Sequence, residues 1–171
     1  DRGDFPEEAI GNQMDEWEGE KWVDIRHAGI REIVSKRMDA AVALNCDGVE
    51  PDNMDGYTNN TGFDLSAQDQ LDFNLFVAQE AHDRELSVGL KNDVDQLAEL
   101  MPYFDWALNE ECFRYEECGG YSVFIDAGKA VFHVEYGNAS LGDEICPLSA
   151  SMGFSTLIKK IDLDPWQFPC P

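Results

Sequence analysis

The densest run of chemistry-bearing side chains is Asp47-Gly48-Val49-Glu50-Pro51-Asp52-Asn53-Met54-Asp55-Gly56-Tyr57. Strand alternation would put Gly48, Glu50 and Asp52 on one side and turn Val49 toward covering helices. Pro51 ends such a strand abruptly, so Asp52 projects beyond its end. Further along, Asn109-Glu110 repeats the arrangement, an amide beside a carboxylate where a β-rich run closes. Two carboxylates flanking one bond are the machinery of glycoside hydrolysis. One protonates the leaving oxygen while the other attacks the anomeric carbon or activates water. Trp22, Tyr57, Trp106, Tyr115 and Tyr136 offer faces for stacking sugar rings, although core packing accounts for aromatic residues equally well.

These residue types also serve other chemistries. Asp47, Asp52, Asn53 and Asp55 could bind calcium, but their spacing lacks the alternating acidic loop pattern. His27, His82 and His133 share no zinc-ligand spacing, and no Gly-x-Ser-x-Gly elbow is present for a serine hydrolase. The bland alternative is a solvated acidic rim. No metal and no cofactor is expected.

The elements that must position these groups alternate between short β-like and helical patterns. Strands are expected at residues 22–25, 48–50, 86–90, 105–108, 130–134 and 154–158. Between them, Ile30, Ile33, Val34, Met38 and Ala41 fall at helical spacing. Ser66-Ala67-Gln68-Asp69 has the form of a capping box. It opens a helix whose face would carry Leu71, Phe73, Leu75, Phe76 and Ala81. Shorter helices are expected at 94–101, 121–127 and near Leu148. Strands separated by helices imply a parallel sheet with right-handed crossovers.

A charged residue stands at or just past the end of every expected strand: Asp24, then Glu50 and Asp52, Lys91, Glu110, Glu135 and Lys159. A strand buried on both faces has little room for a charge except at its mouth. An open sheet would gather such residues near one switch point, whereas a barrel draws its site from many strands. No glycine-rich phosphate loop follows any strand. The expected fold is therefore α/β, a TIM (β/α)8-type barrel to which this chain supplies about six βα units.

Composition narrows the partners. Twelve Lys+Arg against 35 Asp+Glu give 12 − 35 = −23, which repels nucleic acid and anionic membranes and suits a neutral or cationic partner. No apolar run approaches a membrane span. Cys112 and Cys118 bracket a turn-rich loop suited to a disulfide, and Cys146 and Cys170 flank the last periodic segment and are assigned to a bridge as well. Cys46 is left over. Two sequons, at Asn59 and Asn138, add to the cysteines in favouring a secreted, extracellular glycoprotein whose leader has been removed, since the chain opens on Asp1-Arg2-Gly3-Asp4.

The run 46–57 resembles the signature of glycoside hydrolase family 114, the endo-α-1,4-polygalactosaminidases. The likeness continues through Gly89-Leu90-Lys91-Asn92-Asp93, Asn109-Glu110-Glu111-Cys112, Gly128-Lys129-Ala130-Val131-Phe132-His133-Val134-Glu135-Tyr136 and Gly153-Phe154-Ser155-Thr156. It implies a secreted barrel, similar to bacterial exopolysaccharide hydrolases, that cleaves α-1,4-linked galactosamine polymers internally. It further implies Asp52 as nucleophile and Glu110 as general acid/base. Substrate contacts would come from Lys91, Asn109 and Glu135, and from Asp24, Tyr57, Tyr136 and Lys159, with Glu50 and Asp55 in the same acidic run.

Against the family pattern, two N-terminal βα units are missing ahead of Asp4-Phe5-Pro6. The strands at 22–25 and 154–158 would then be left with unpaired edges, and a partner for Cys46 would lie outside this chain. Residues 1–171 are expected to form one such domain, a monomer when the barrel is complete. The alternatives are a non-catalytic carbohydrate-binding barrel and a barrel glycosidase of other sugar specificity.

Overall fold

Strand formation begins where the sequence signals it least. In the computed structural model, which describes residues 2–15 and 17–171, β1 (Ile10–Gln13) pairs antiparallel with β2 (Lys21–Val23). The chain forms two compact units, 1–88 and 89–171. No helix among the described residues is long and apolar enough to cross a membrane.

In the first unit, β1 and β2 form a sheet of their own, in register Ile10↔Val23 and Gln13↔Lys21. Gly11 is required here, because a Cβ would stand 2.1 Å from the carbonyl oxygen of Thr61 in the segment lying against the strand. α1 (Ala28–Ala43) follows, capped by His27, whose Nδ1 accepts the Gly29 N–H at 3.1 Å. Ile30, Ile33 and Met38 are its buried residues. Then come the two-residue strand β3 (Gly48–Val49) and α2 (Ala67–His82). The capping box forms as expected: Asp69 N–H donates to Ser66 Oγ at 3.1 Å, and Ser66 N–H to Asp69 Oδ2 at 2.8 Å. β4 (Ser87–Lys91) begins in this unit, parallel to β3 through Gly48↔Ser87 and Val49↔Val88.

In the second unit, β4 continues parallel to β5 (Trp106–Glu110), then β6 (Val131–Tyr136) and β7 (Ser155–Lys159). α3 (Leu97–Leu100), α4 (Ser122–Asp126) and α5 (Gly142–Ser151) occupy the connections, so strand–helix alternation holds from β4 to β7. Leu90, Leu100, Phe104, Tyr121, Phe124, Val131 and Ile158 form the core. Side chains alternate along each strand: Ala107 and Asn109, Val131, His133 and Glu135, and Thr156 and Ile158 are buried on one face. On the other face Trp106 lies where a Gly89 Cβ would be, 2.2 Å from its ring, and packs edge-on against Phe132. Glycine is needed at 89 for the indole to cross the sheet.

The α/β class and the parallel strands joined by helices stand as expected. Two expectations are corrected. The segment at 22–25 does not join the parallel ladder, because the hairpin gives β2 a nearer partner and Asp24 N–H continues that pairing to Ala9 O at 2.9 Å. Nor is β7 left with a bare edge. β8 (Gln167–Pro169) pairs with it antiparallel, and the Cys146–Cys170 disulfide ties the strand's end to α5.

Candidate active site

In the second unit the polar groups converge on Glu110, the last residue of β5. Lys91, the last residue of β4, places Nζ 3.2 Å from Glu110 Oε2. Asn92 Nδ2 lies 3.4 Å from the same oxygen, and the Tyr136 hydroxyl donates to Oε1. The backbone N–H of Glu110 is itself held, at 2.9 Å, by Asn92 Oδ1. Lys91, Glu110 and Tyr136 share a strand face and come together because each ends a parallel strand. The Glu110 side chain remains 27% exposed. It is a fixed carboxylate with an open side, able to exchange a proton with a bound molecule.

The neighbouring polar residues lie on the other face. Asn109 and Glu135, expected to touch substrate, are buried there and hold structure instead. Asn109 Nδ2 donates to the Tyr121 hydroxyl at 2.9 Å and to Asn92 Oδ1 at 3.3 Å. Glu135 Oε1 accepts the Phe113 N–H at 2.8 Å and faces His133 Nε2 at 3.1 Å. His133 Nδ1 meets Thr156 Oγ1 at 3.0 Å, so a hydrogen on Nε2 and a lone pair on Nδ1 satisfy both partners. Glu135 thereby fixes the loop after Glu110, which the Cys112–Cys118 disulfide closes.

Among the described residues, only Cys112, Cys118 and His133 gather as potential metal ligands, and the two sulfurs there are bonded to each other. Lys159 stands beside Tyr136 in register, with Nζ on the Asp164 carbonyl at 2.6 Å.

In the first unit, Glu50, Asp52 and Asn53 line a cavity of about 870 Å³ together with Trp22, Val49 and Met38. Val49 was expected to turn away from Glu50 and Asp52. It lines the same space, because the cavity also borders the buried residues of α1. Asp52 is exposed, with Oδ1 accepting the Asn53 N–H at 3.0 Å. Asn53 takes a left-handed backbone, φ 58°, a conformation that asparagine tolerates. The turn is tethered from α2: Asn74 Nδ2 donates to the Met54 carbonyl at 2.9 Å, and Gln70 Nε2 to Asn74 Oδ1 at 2.8 Å. Gln70 and Asn74 are fully buried, and Leu71, Leu75 and Phe76, expected on the inner face, are only half-buried. The helix is turned so that its amides reach the turn.

Asp55 precedes the short 3₁₀ segment Gly56–Thr58, which carries Tyr57. Asp24 is committed to Arg26, with contacts of 2.8 Å to Nε and 3.0 Å to NH2. That guanidinium holds its carboxyl below the usual range, so Asp24 organises the entry to α1.

Of the expected stacking residues, Trp22 lines the cavity and Trp106 is taken up by packing. Tyr115 is exposed under Arg114. Asn59 and Asn138 are exposed, and Cys146 and Cys170 are bridged; Cys46 is a free exposed thiol rather than a buried one, because it falls in the connection between α1 and β3 and not within a strand. Asn92, Tyr121, Gln70 and Asn74 were not singled out from sequence. Asn92 alone carried a signal, an amide next to a strand-end lysine.

Comparison with known proteins adds to this geometry. The family model described as Glycoside-hydrolase family GH114 matches residues 1–171. The crystal structure of Aspergillus fumigatus Ega3 in complex with galactosamine is similar at 39% identity and a TM-score of 0.94, over 99% of this chain and 72% of that one. The glycoside hydrolase domain of PelA from Pseudomonas aeruginosa is similar at 13% identity and a TM-score of 0.64, over 90% of this chain and 70% of that one, a likeness of fold alone. Comparison with curated proteins returned no match. The fold is the β/α-barrel type expected, of which this chain supplies the strands described.

Proposed function

This chain belongs to glycoside hydrolase family GH114, and on that premise we propose that it is a secreted endo-glycosidase cleaving α-1,4-linked galactosamine polymers by double displacement. Residues 1–171 act as one glycosidase domain, and the protein is a monomer. Support comes first from the setting of Glu110, a half-open carboxylate at a strand end braced by Lys91, Asn92 and Tyr136. The 39% identity with a protein crystallised with galactosamine directs the choice of sugar.

In this mechanism Glu110 gives its proton to the glycosidic oxygen as the C–O bond breaks. Asp52 attacks the anomeric carbon, and a glycosyl ester forms on its carboxylate. Glu110, now the base, takes a proton from water, whose oxygen displaces Asp52 and restores both carboxyl groups with net retention. Lys91 and Tyr136 orient Glu110 and border the bound sugar, with Glu50, Asp55, Tyr57 and Lys159 as further substrate contacts. The two disulfides and the exposed sequon at Asn138 support an extracellular glycoprotein.

Asp52→Asn and Glu110→Gln test the assignment, with release of oligosaccharides from partly deacetylated polygalactosamine as the readout. Each variant should lose turnover by several orders of magnitude. Substantial activity in either sinks the assignment of that residue. Tight binding without cleavage by the unaltered protein would replace the hydrolase with a sugar-binding protein.

A further inference from the structure

A second pocket, of about 570 Å³, lies in the same unit as Asp52 and plays no part in the chemistry above. Trp17 and Trp22 line it with Asn12, Gln13, Asp15 and Asn60. Trp17 is 44% exposed, an indole that the core does not use.

The walls are built rather than incidental. Gln13 Nε2 donates to the Trp17 carbonyl at 2.8 Å, and Asn12 Nδ2 donates to both the carbonyl and Oδ1 of Asn60, at 3.1 and 3.0 Å. Met14 N–H closes the hairpin on the Glu20 carbonyl at 2.9 Å. The β1–β2 turn and the segment around Asn60 therefore hold each other in place.

Indole faces interleaved with side-chain amides suit a pyranose, which presents C–H faces to rings and hydroxyls to amides. A wholly apolar ligand would cover the Asp15 carboxylate without a partner for it, and an anion would meet that carboxylate in a chain of net charge −23. An amino sugar meets both conditions, since its ammonium can face either the carboxylate or an indole.

Met14 and Trp22 also line the larger cavity that Asp52 borders, so the two spaces adjoin. We propose that this pocket is a distal subsite, holding a hexosamine unit of the polymer some way along the chain from the bond that is cut. The proposal rests on the hydrolase reading above. It gives that reading a length preference, because binding energy from remote sugar units is available only to longer chains.

The test uses the Asp52→Asn protein, made in a host that does not glycosylate because Asn59 also lines the pocket. Galactosamine oligomers of increasing length are titrated calorimetrically. Affinity should rise with length, and adding Trp17→Ala should weaken the longest oligomers about tenfold while leaving the shortest unchanged. Asp15→Asn, a near-isosteric change at an exposed position, should weaken long amine-bearing oligomers and spare fully N-acetylated ones. Should Trp17→Ala fail to fold, Asp15→Asn decides alone. Unchanged affinity at every length in the added variants overturns the subsite while the hydrolase reading stands. Absence of binding at any length by the Asp52→Asn parent overturns both.

Discussion

Asn92 Oδ1 accepts the backbone N–H of Glu110 at 2.9 Å, and the same oxygen collects Asn109 Nδ2 at 3.3 Å. One amide thus fixes the main chain where the candidate acid leaves its strand, and its Nδ2 faces the carboxylate it positions. Asn92 has φ 50°, so glycine can replace it without backbone strain and isolates the loss of the amide. Asn92→Gly should lower kcat by about tenfold or more, the cost of about one to two hydrogen bonds at the site. KM should move little. Steady-state kinetics on the polymer checks this, and an unchanged kcat would leave Asn92 a merely structural residue.

On the Asp52 side the corresponding tie is Asn74 to the Met54 carbonyl, backed by Gln70. Asn74→Leu keeps the branched shape and strands two buried partners, each worth about 1–3 kcal/mol. The urea midpoint should fall, and activity should fall further because the turn bearing Asp52 is released. Adding Gln70→Leu should recover part of the stability, since removing both members of a buried pair costs less than removing one. Activity should not return with it.

What could be read from sequence follows which forces are local. Lys91, Glu110 and Lys159 were legible at strand ends because a parallel strand covered on both faces leaves a charge little other place. Asn109 and Glu135 were drawn into the cleft by their company in motifs. The strand period already argued otherwise: Asn109 adjoins Glu110 and Glu135 adjoins Tyr136, so neighbours must face opposite ways. The 22–25 segment formed the expected extended structure with an unexpected partner. Ile10-Gly11-Asn12-Gln13 has a single large apolar residue and no alternation to announce a strand. Asn74, Tyr121 and Asn92 serve groups 12 to 29 positions away in the chain. Nothing in their immediate neighbours distinguishes such amides and hydroxyls from solvated ones.

The Asp24–Arg26 clamp has a pH signature. Its carboxyl titrates lower in the folded chain than the usual 3.8, chiefly through the Arg26 hydrogen bonds. A depressed carboxyl contributes stability that is present above its unfolded value and lost as pH falls through the folded one. Asp69, lowered by Ser66 in the capping box, acts in the same sense. Asp24→Asn should therefore reduce the melting temperature at neutral pH. The gap from the unaltered protein should narrow as pH falls below about 4. Melting curves between neutrality and acid check it, and a gap constant with pH would show that Asp24 acts through packing alone.

The charge of −23 yields a prediction about encounter rather than chemistry. A deacetylated galactosamine polymer carries ammonium groups, and a strongly negative surface raises its local concentration and on-rate. Screening shortens the Debye length from about 30 Å at about 0.01 M salt to about 8 Å at about 0.15 M. Over that range kcat/KM on the deacetylated polymer should fall severalfold, with kcat at saturation nearly constant. A fully N-acetylated polymer, lacking the positive charge, should show no comparable dependence. Parallel salt responses for the two polymers would reduce the acidic surface to a solubility device. A fall confined to the amine form would assign it to substrate capture.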